Sequence, residues 1–231
     1  MVALPFADRR RPVLLGHRGL PSVAEGNTRA AFQAAIEAGL DGIETDIQRT
    51  KDGVLVIFHD FVVGSRLIAE MGFAELRERR PEIMTLEELL ELLAPYEDFL
   101  INLELKSIPG MEDGRAHELA DAVAGWPGRD RVWISSYDPV ALFKIRERRP
   151  EIPLGYLFRV HDTSGMAELL GLEAVHPEFH LLTHERVSRW HEKGLAVGTW
   201  TVNEVEVAQR VAAMGADVLM GDDAGVLLSV C

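Results

Sequence analysis

A chain of 231 residues, 47% hydrophobic and 26% charged, holds enough material for one globular core and falls within the range of a single α/β barrel. No apolar stretch approaches the ~18 residues of a membrane span, and a formal net charge of −13 argues against nucleic acid as a partner, whose binding draws on Lys and Arg at phosphates. The single cysteine, Cys231, excludes an internal disulfide and a Cys-based metal site. At the N-terminus a very short apolar piece precedes a basic cluster, the reverse of a secretory signal, so the chain reads as soluble and cytoplasmic.

Short β-rich runs alternate with helical periodicity almost from end to end. The first strand is expected over residues 13–16 and the first helix over 28–38. A second strand over 42–47 leads through the turn signal Lys51-Asp52-Gly53 into the apolar run 54–58, so 47–58 reads as a β-hairpin. Residues 61–84 read as a short irregular insertion after it. Further strands are expected over 99–105, 132–135, 153–158, 174–176, 196–200 and 217–220. Helical patterns fill 85–93, 115–124, 139–148, 183–193 and 204–214. With the hairpin's return arm set aside, about eight βα units remain, the number that closes a TIM barrel. An open doubly wound sheet is the alternative, but no Gly-rich fingerprint follows the first strand. No linker-like composition interrupts residues 1–231, which read as one domain.

In a barrel of this kind, catalytic groups gather at the C-terminal ends of the strands. His17 and Arg18 end the first strand. Glu44 and Asp46 lie two apart on the second, so both side chains share a face, and Glu104 and Lys106 repeat that arrangement. His59 and Asp60 end the hairpin's return arm. Three carboxylates converging on one site repel unless a cation holds them, and oxygen ligands select a hard cation, Mg²⁺ or Ca²⁺, over zinc. Arg18 and Lys106 would then favour a phosphate oxyanion, with His17 and His59 as acid and base. Each item alone has an ordinary reading: a solvated strand face for Glu44-x-Asp46, a structural ion pair for Glu104-x-Lys106, a hydrogen-bonded loop residue for His59. Their convergence on one rim favours the catalytic reading.

The order His17-Arg18, Glu44-Thr45-Asp46, His59-Asp60 resembles the HR…ExD…HD signature of the glycerophosphodiester phosphodiesterases. Asn27-Thr28, Thr50-Lys51-Asp52-Gly53, Asn102-Leu103-Glu104-Leu105-Lys106 and Trp200-Thr201-Val202-Asn203 extend the resemblance through most of the chain. It implies a TIM barrel and metal-dependent hydrolysis of a small-molecule glycerophosphodiester to an alcohol and glycerol 3-phosphate. Glu44, Asp46 and Glu104 match that family's metal ligands, and His17 and His59 its acid–base pair. Arg18 and Lys106 match its phosphate contacts, and Trp200 an aromatic residue of its substrate pocket.

Three stretches depart from the family pattern. Ala24-Glu25-Gly26-Asn27-Thr28 displaces the usual acid by one position. The segment after Asp60 lacks the usual sequence and implies a reduced cap over the site. Gly221-Asp222-Asp223-Ala224 keeps an aspartate without its usual neighbours, and no role is assigned to Asp222 on that basis. A phospholipase acting on intact lipids, through Phe61-Val62-Val63 and Leu67-Ile68, and a non-catalytic phospho-ligand-binding barrel are the competing readings.

Overall fold

The computed structural model describes residues 2–7 and 12–231; the basic cluster Arg9-Arg10-Arg11 lies outside them. Strands β1 (Val13–His17) and β2 (Gly42–Arg49) are followed by four short ones: β3 (Leu55–Ile57), β4 (Val62–Val63), β5 (Arg66–Leu67) and β6 (Met84–Thr85). Then come β7 (Leu100–Leu105), β8 (Val132–Ser136), β9 (Leu154–Phe158), β10 (Ala174–Pro177), β11 (Ala196–Thr199) and β12 (Val218–Gly221). Among the described residues the helices are α1 (Arg29–Glu37), α2 (Phe73–Arg79), α3 (Leu86–Leu93), α4 (Arg115–Gly125), α5 (Pro139–Arg148), α6 (Gly165–Leu169), α7 (His184–Glu192), α8 (Val205–Ala213) and α9 (Ala224–Leu228).

The strands β1, β2 and β7 to β12 pair in parallel around a closed ring, because β1 bonds to both β12 and β2. This is the (β/α)8 barrel expected from the alternation of strands and helices. Helix starts are fixed locally: Thr28 accepts from the Ala31 N–H, Asp138 caps α5 with Pro139 at its first position, and Thr85 and Glu88 form a reciprocal capping box on α3. Between the strands and the helices lies the main apolar layer, with Phe32, Ile43, Leu103, Ile134 and Trp190 enclosed in it. A second cluster fills the lower barrel interior from the alternate strand positions Val13, Leu15, Leu100, Trp133, Val218 and Met220. Phe6 plugs that end, its ring edge-to-face with Trp133 at 5.1 Å.

The expected hairpin is present: β2 runs beyond the barrel wall and pairs antiparallel with β3, Ile47 opposite Ile57, and β3 pairs with β6. The expectation of an irregular insertion over residues 61–84 is corrected. That segment contains the β4–β5 pair, a 3-10 turn at Ile68–Glu70 and α2. Ile68, Met71, Leu76 and Ile83 bury against Val56 in a small core of their own. These elements are too short to show a period, and tertiary burial holds them. Among the described residues, no helix is long and apolar enough to cross a membrane.

Candidate active site

The parallel register aligns the polar residues at the C-terminal rim: His17 lies level with Glu44, and Asp46 with Glu104. Positions 44, 46, 102 and 104 alternate inward, above the apolar filling of the lower barrel. One oxygen from each of Glu44, Asp46 and Glu104 lies within 4.8 Å of the others, a set that could hold a metal ion.

The chain's own cations balance this acid cluster only in part. Lys106 Nζ donates to Glu104 Oε1 at 2.9 Å and sits 3.4 Å from Asp46 Oδ1. Arg18 Nε sits 3.4 Å from Asp46 Oδ2, and the Arg18 backbone N–H donates to Glu44 Oε2 at 3.1 Å. Aiming that N–H requires a left-handed backbone at Arg18, φ 57°. Asn27, also left-handed at φ 62°, supports it by donating its own N–H to the Arg18 carbonyl at 2.8 Å. The Asn27 amide meanwhile donates to Asp46 Oδ2 at 2.8 Å and accepts from Thr45 Oγ1 at 2.7 Å.

The proton affinities follow from this pairing. Burial, with Asp46 and Glu104 nearby, pushes the Glu44 carboxyl well above its ordinary range. Burial and Asp46 likewise push Glu104 up to about 7, against the pull of Lys106. Burial would raise Asp46 too, but Lys106 and Arg18 outweigh it and hold that carboxyl below its ordinary value. Glu44 Oε1 is buried and has no hydrogen-bond partner. A buried carboxylate oxygen left so is costly, and two protonation-prone glutamates beside an ionised aspartate are the charge pattern that a divalent cation relieves. The donor set is all oxygen, which suits a hard cation.

Both histidines are oriented by carboxylates. His17 Nδ1 is 2.7 Å from Asp222 Oδ1, and His59 Nδ1 is 2.7 Å from Asp60 Oδ1. A carboxylate only accepts, so each Nδ1 carries a proton and each ring leaves its Nε2 for proton transfer. Asp222 is itself held: Asn203 Nδ2 donates to its Oδ2 at 2.6 Å, and its N–H donates to Asn203 Oδ1 at 2.8 Å. Burial opposes ionisation of Asp222, yet the hydrogen bonds from His17 and Asn203 keep its carboxyl below the ordinary range. Gln48 secures the end of the β3 arm by donating to the Asp60 carbonyl at 3.0 Å. Burial holds the His59 imidazole below its ordinary pKa despite the attraction of Asp46.

A cavity of about 550 Å³ opens at this rim, and its lining includes His17, Arg18, Glu44, His59, Glu104, Lys106 and Trp200. Asp46 completes the acid cluster beneath it. The eight residues singled out in the sequence thus converge on one place. Tyr137, edge-to-face with Trp200 at 5.9 Å, and Arg159 join the cavity wall without having been foreseen. Asp222, Asn203 and the side-chain role of Asn27 were also missed. His176, by contrast, is enclosed beneath the site: Trp133 Nε1 lies 3.4 Å from its Nε2, and Trp200 Nε1 donates to its carbonyl at 2.9 Å. The flanking strands make room for that ring with Gly155 and Gly198, where a Cβ would fall 2.9 and 3.0 Å from imidazole atoms.

A closed (β/α)8 barrel whose C-terminal rim carries an acidic, metal-competent cluster between two carboxylate-oriented histidines defines the class. The model of the glycerophosphoryl diester phosphodiesterase family matches residues 17–226, and the chain belongs to that family. A glycerophosphodiester phosphodiesterase of Caldanaerobacter subterraneus subsp. tengcongensis is 30% identical over 95% of this chain and 98% of its own length. Among solved structures, a phosphodiesterase of Oleispira antarctica in complex with the product sn-glycerol-3-phosphate superposes with a TM-score of 0.86. The two are 27% identical, over 95% of this chain and 96% of the other. A glycerophosphodiester phosphodiesterase of Thermotoga maritima, 27% identical, covers 96% of this chain and 100% of its own with a TM-score of 0.78.

Proposed function

We propose that this protein hydrolyses glycerophosphodiesters to an alcohol and glycerol 3-phosphate, with a divalent cation, Mg²⁺ or Ca²⁺, held by Glu44, Asp46 and Glu104. The observation that carries this reading is the acid cluster lying between two histidines whose Nε2 atoms are left free for proton transfer. The activity for which the Caldanaerobacter relative is named and the product bound to the Oleispira antarctica phosphodiesterase support the same substrate class.

The cation would supply charge stabilisation at the phosphoryl oxygens. Arg18 and Lys106 add fixed positive charge beside the same position. One histidine accepts a proton at Nε2 from the attacking group, the substrate's own vicinal glycerol hydroxyl. The other starts as the imidazolium, its Nδ1–H held by its carboxylate, and gives its Nε2 proton to the departing alcohol oxygen; water then opens the cyclic phosphate as the two roles reverse. Trp200 and Tyr137 wall the glycerol arm.

Of the apolar residues that a lipid-binding reading would use, Ile68 is fully enclosed, and Val62 and Leu67 are the large ones exposed on the β4–β5 pair. That small patch favours a deacylated diester over a lipid surface. The test is release of glycerol 3-phosphate from a choline or ethanolamine diester in the presence of Mg²⁺ or Ca²⁺. EDTA should abolish it, and His17→Ala and His59→Ala should each lower kcat by roughly 100-fold or more. Turnover that survives loss of both histidines would sink the mechanism.

A further inference from the structure

A second cavity, of about 490 Å³, adjoins the first, and the two share His17, Arg18 and His59 in their linings. A phosphodiester has one phosphorus and two ester arms, so two lobes that meet at the histidines match two arms around one phosphate. Glu44, Glu104, Lys106 and Trp200 line the first lobe. On the function proposed above, on which this inference rests, that lobe takes the glycerol arm and the second lobe takes the alcohol.

The second lobe is lined from the β1–α1 segment, the end of β3, the stretch after α2 and Asp222, and it has a distinctive charge arrangement. Arg80, just past the end of α2, pairs through Nη2 with Glu25 of the β1–α1 loop. Its Nε lies 2.7 Å from Glu82 Oε1, and its guanidinium lies over the Phe58 ring at 5.4 Å. Asp60, half-engaged with His59, and Asp222, engaged with His17, add a third and a fourth carboxylate. Arg80 thus lies between Glu25 and Glu82 with one face on Phe58, its buried Nε–H finding no hydrogen-bond partner, and with Arg18 it stands against the four carboxylates Glu25, Asp60, Glu82 and Asp222 of the lining. The carboxylates keep free lone pairs and a net negative field.

We propose that Glu25, Arg80 and Glu82 form a charge filter for the alcohol: the lobe takes ammonium-bearing alcohols and rejects those that carry a carboxylate or a second phosphate. Glu25 is the acid displaced by one position from the family pattern, and this arrangement gives it a role. The filter also predicts its own reversal, because neutralising both glutamates releases Arg80 to bind an anion.

The experiment compares two diesters of glycerol phosphate that differ by a single carboxylate, the ethanolamine and the serine esters. Wild-type protein with Mg²⁺ should favour the ethanolamine ester by about tenfold in kcat/KM, the scale of one unscreened like charge at several ångströms in a partly solvated site. The double variant Glu25→Gln, Glu82→Gln should abolish or invert that ratio, and Arg80→Met should keep or enlarge it. Glu25 and Glu82 are exposed and Arg80 is half-buried, and circular dichroism of each variant checks its folding. Equal turnover of the two esters by wild-type protein, or an unchanged ratio in the double variant, overturns the filter and leaves the phosphodiesterase standing. Failure to hydrolyse either ester overturns the phosphodiesterase reading and the filter with it.

Discussion

The Nδ1 atom of His17 lies 2.7 Å from Oδ1 of Asp222, although 205 residues separate them in the chain. The contact exists because β1 and β12 are neighbours in the closed barrel, Gly16 opposite Gly221. Asp222 fixes the His17 tautomer, and Asn203 fixes Asp222, so under the proposed mechanism both would act through the imidazole. Asp222→Asn offers an amide that can donate to Nδ1, which would place the ring proton on Nε2 and reverse its role. The expected outcome is a fall in kcat of roughly 100-fold with KM changed less than about threefold, in the range of general acid–base effects. Asn203→Ala should fall less, because it loosens Asp222 without removing its charge. Steady-state kinetics at saturating cation would decide, and a kcat in Asp222→Asn above a third of the wild-type value would remove Asp222 from the mechanism.

If the acid cluster holds the proposed cation, the protein's response to pH should depend on that cation. In the cation-free protein, the folded Glu104 holds its proton up to about pH 7, whereas an unfolded glutamate releases it near 4.5. Between those values the folded state binds more protons than the unfolded one, so stability falls as pH rises. The effect is on the order of 3 kcal/mol. A divalent cation that displaces these protons should bind more tightly at pH 8 than at pH 6. Thermal melts with and without Mg²⁺ or Ca²⁺ should show a larger rise in Tm at pH 8, by several degrees for a chain of this size. Glu104→Gln should raise the cation-free Tm at pH 8 and blunt the cation response. A Tm indifferent to both cations at both pH values would rule out a metal site here.

Period-2 spacing was enough to put Glu44 and Asp46 on one face and Glu104 with Lys106 on another strand's, and the alternation of strands and helices, counted as about eight units, pointed to the closed barrel that joins them. The turn at Lys51-Asp52-Gly53 placed the hairpin and hence His59. What could not be read were contacts made by closure. Asp222 meets His17 only because the last strand returns to the first, and its flanking sequence Gly221-Asp223-Ala224 carries no local signal of that. Asn27 was legible as the entry to a helix, but its bond to Asp46 depends on a left-handed backbone that spacing cannot reveal. The insertion escaped for a different reason. Two-residue strands and a seven-residue helix have no period of their own, and Leu76 and Ile83 acquire an inside only when Val56 supplies it.

His176 links the site to the stability of the barrel beneath it. Its ring is fully enclosed, and burial pushes its pKa down to about 3. The folded protein therefore keeps this imidazole neutral through the range in which an unfolded histidine, near 6.5, becomes charged. As pH falls below that value the unfolded state takes up a proton that the folded state refuses, so stability is lost toward acid. The contribution is on the order of 2–3 kcal/mol by pH 4.5. His176→Gln retains an acceptor for Trp133 Nε1 and removes the titration. At pH 7 the variant should be less stable by about 1–2 kcal/mol, from imperfect filling of the space between Gly155 and Gly198. On moving to pH 4.5 it should lose less stability than the wild-type protein, so that the two converge. Urea unfolding at both pH values measures this directly. Carboxylates elsewhere contribute equally to both proteins, so the difference isolates the imidazole, and parallel losses in the two would show that His176 is not the group that senses acid.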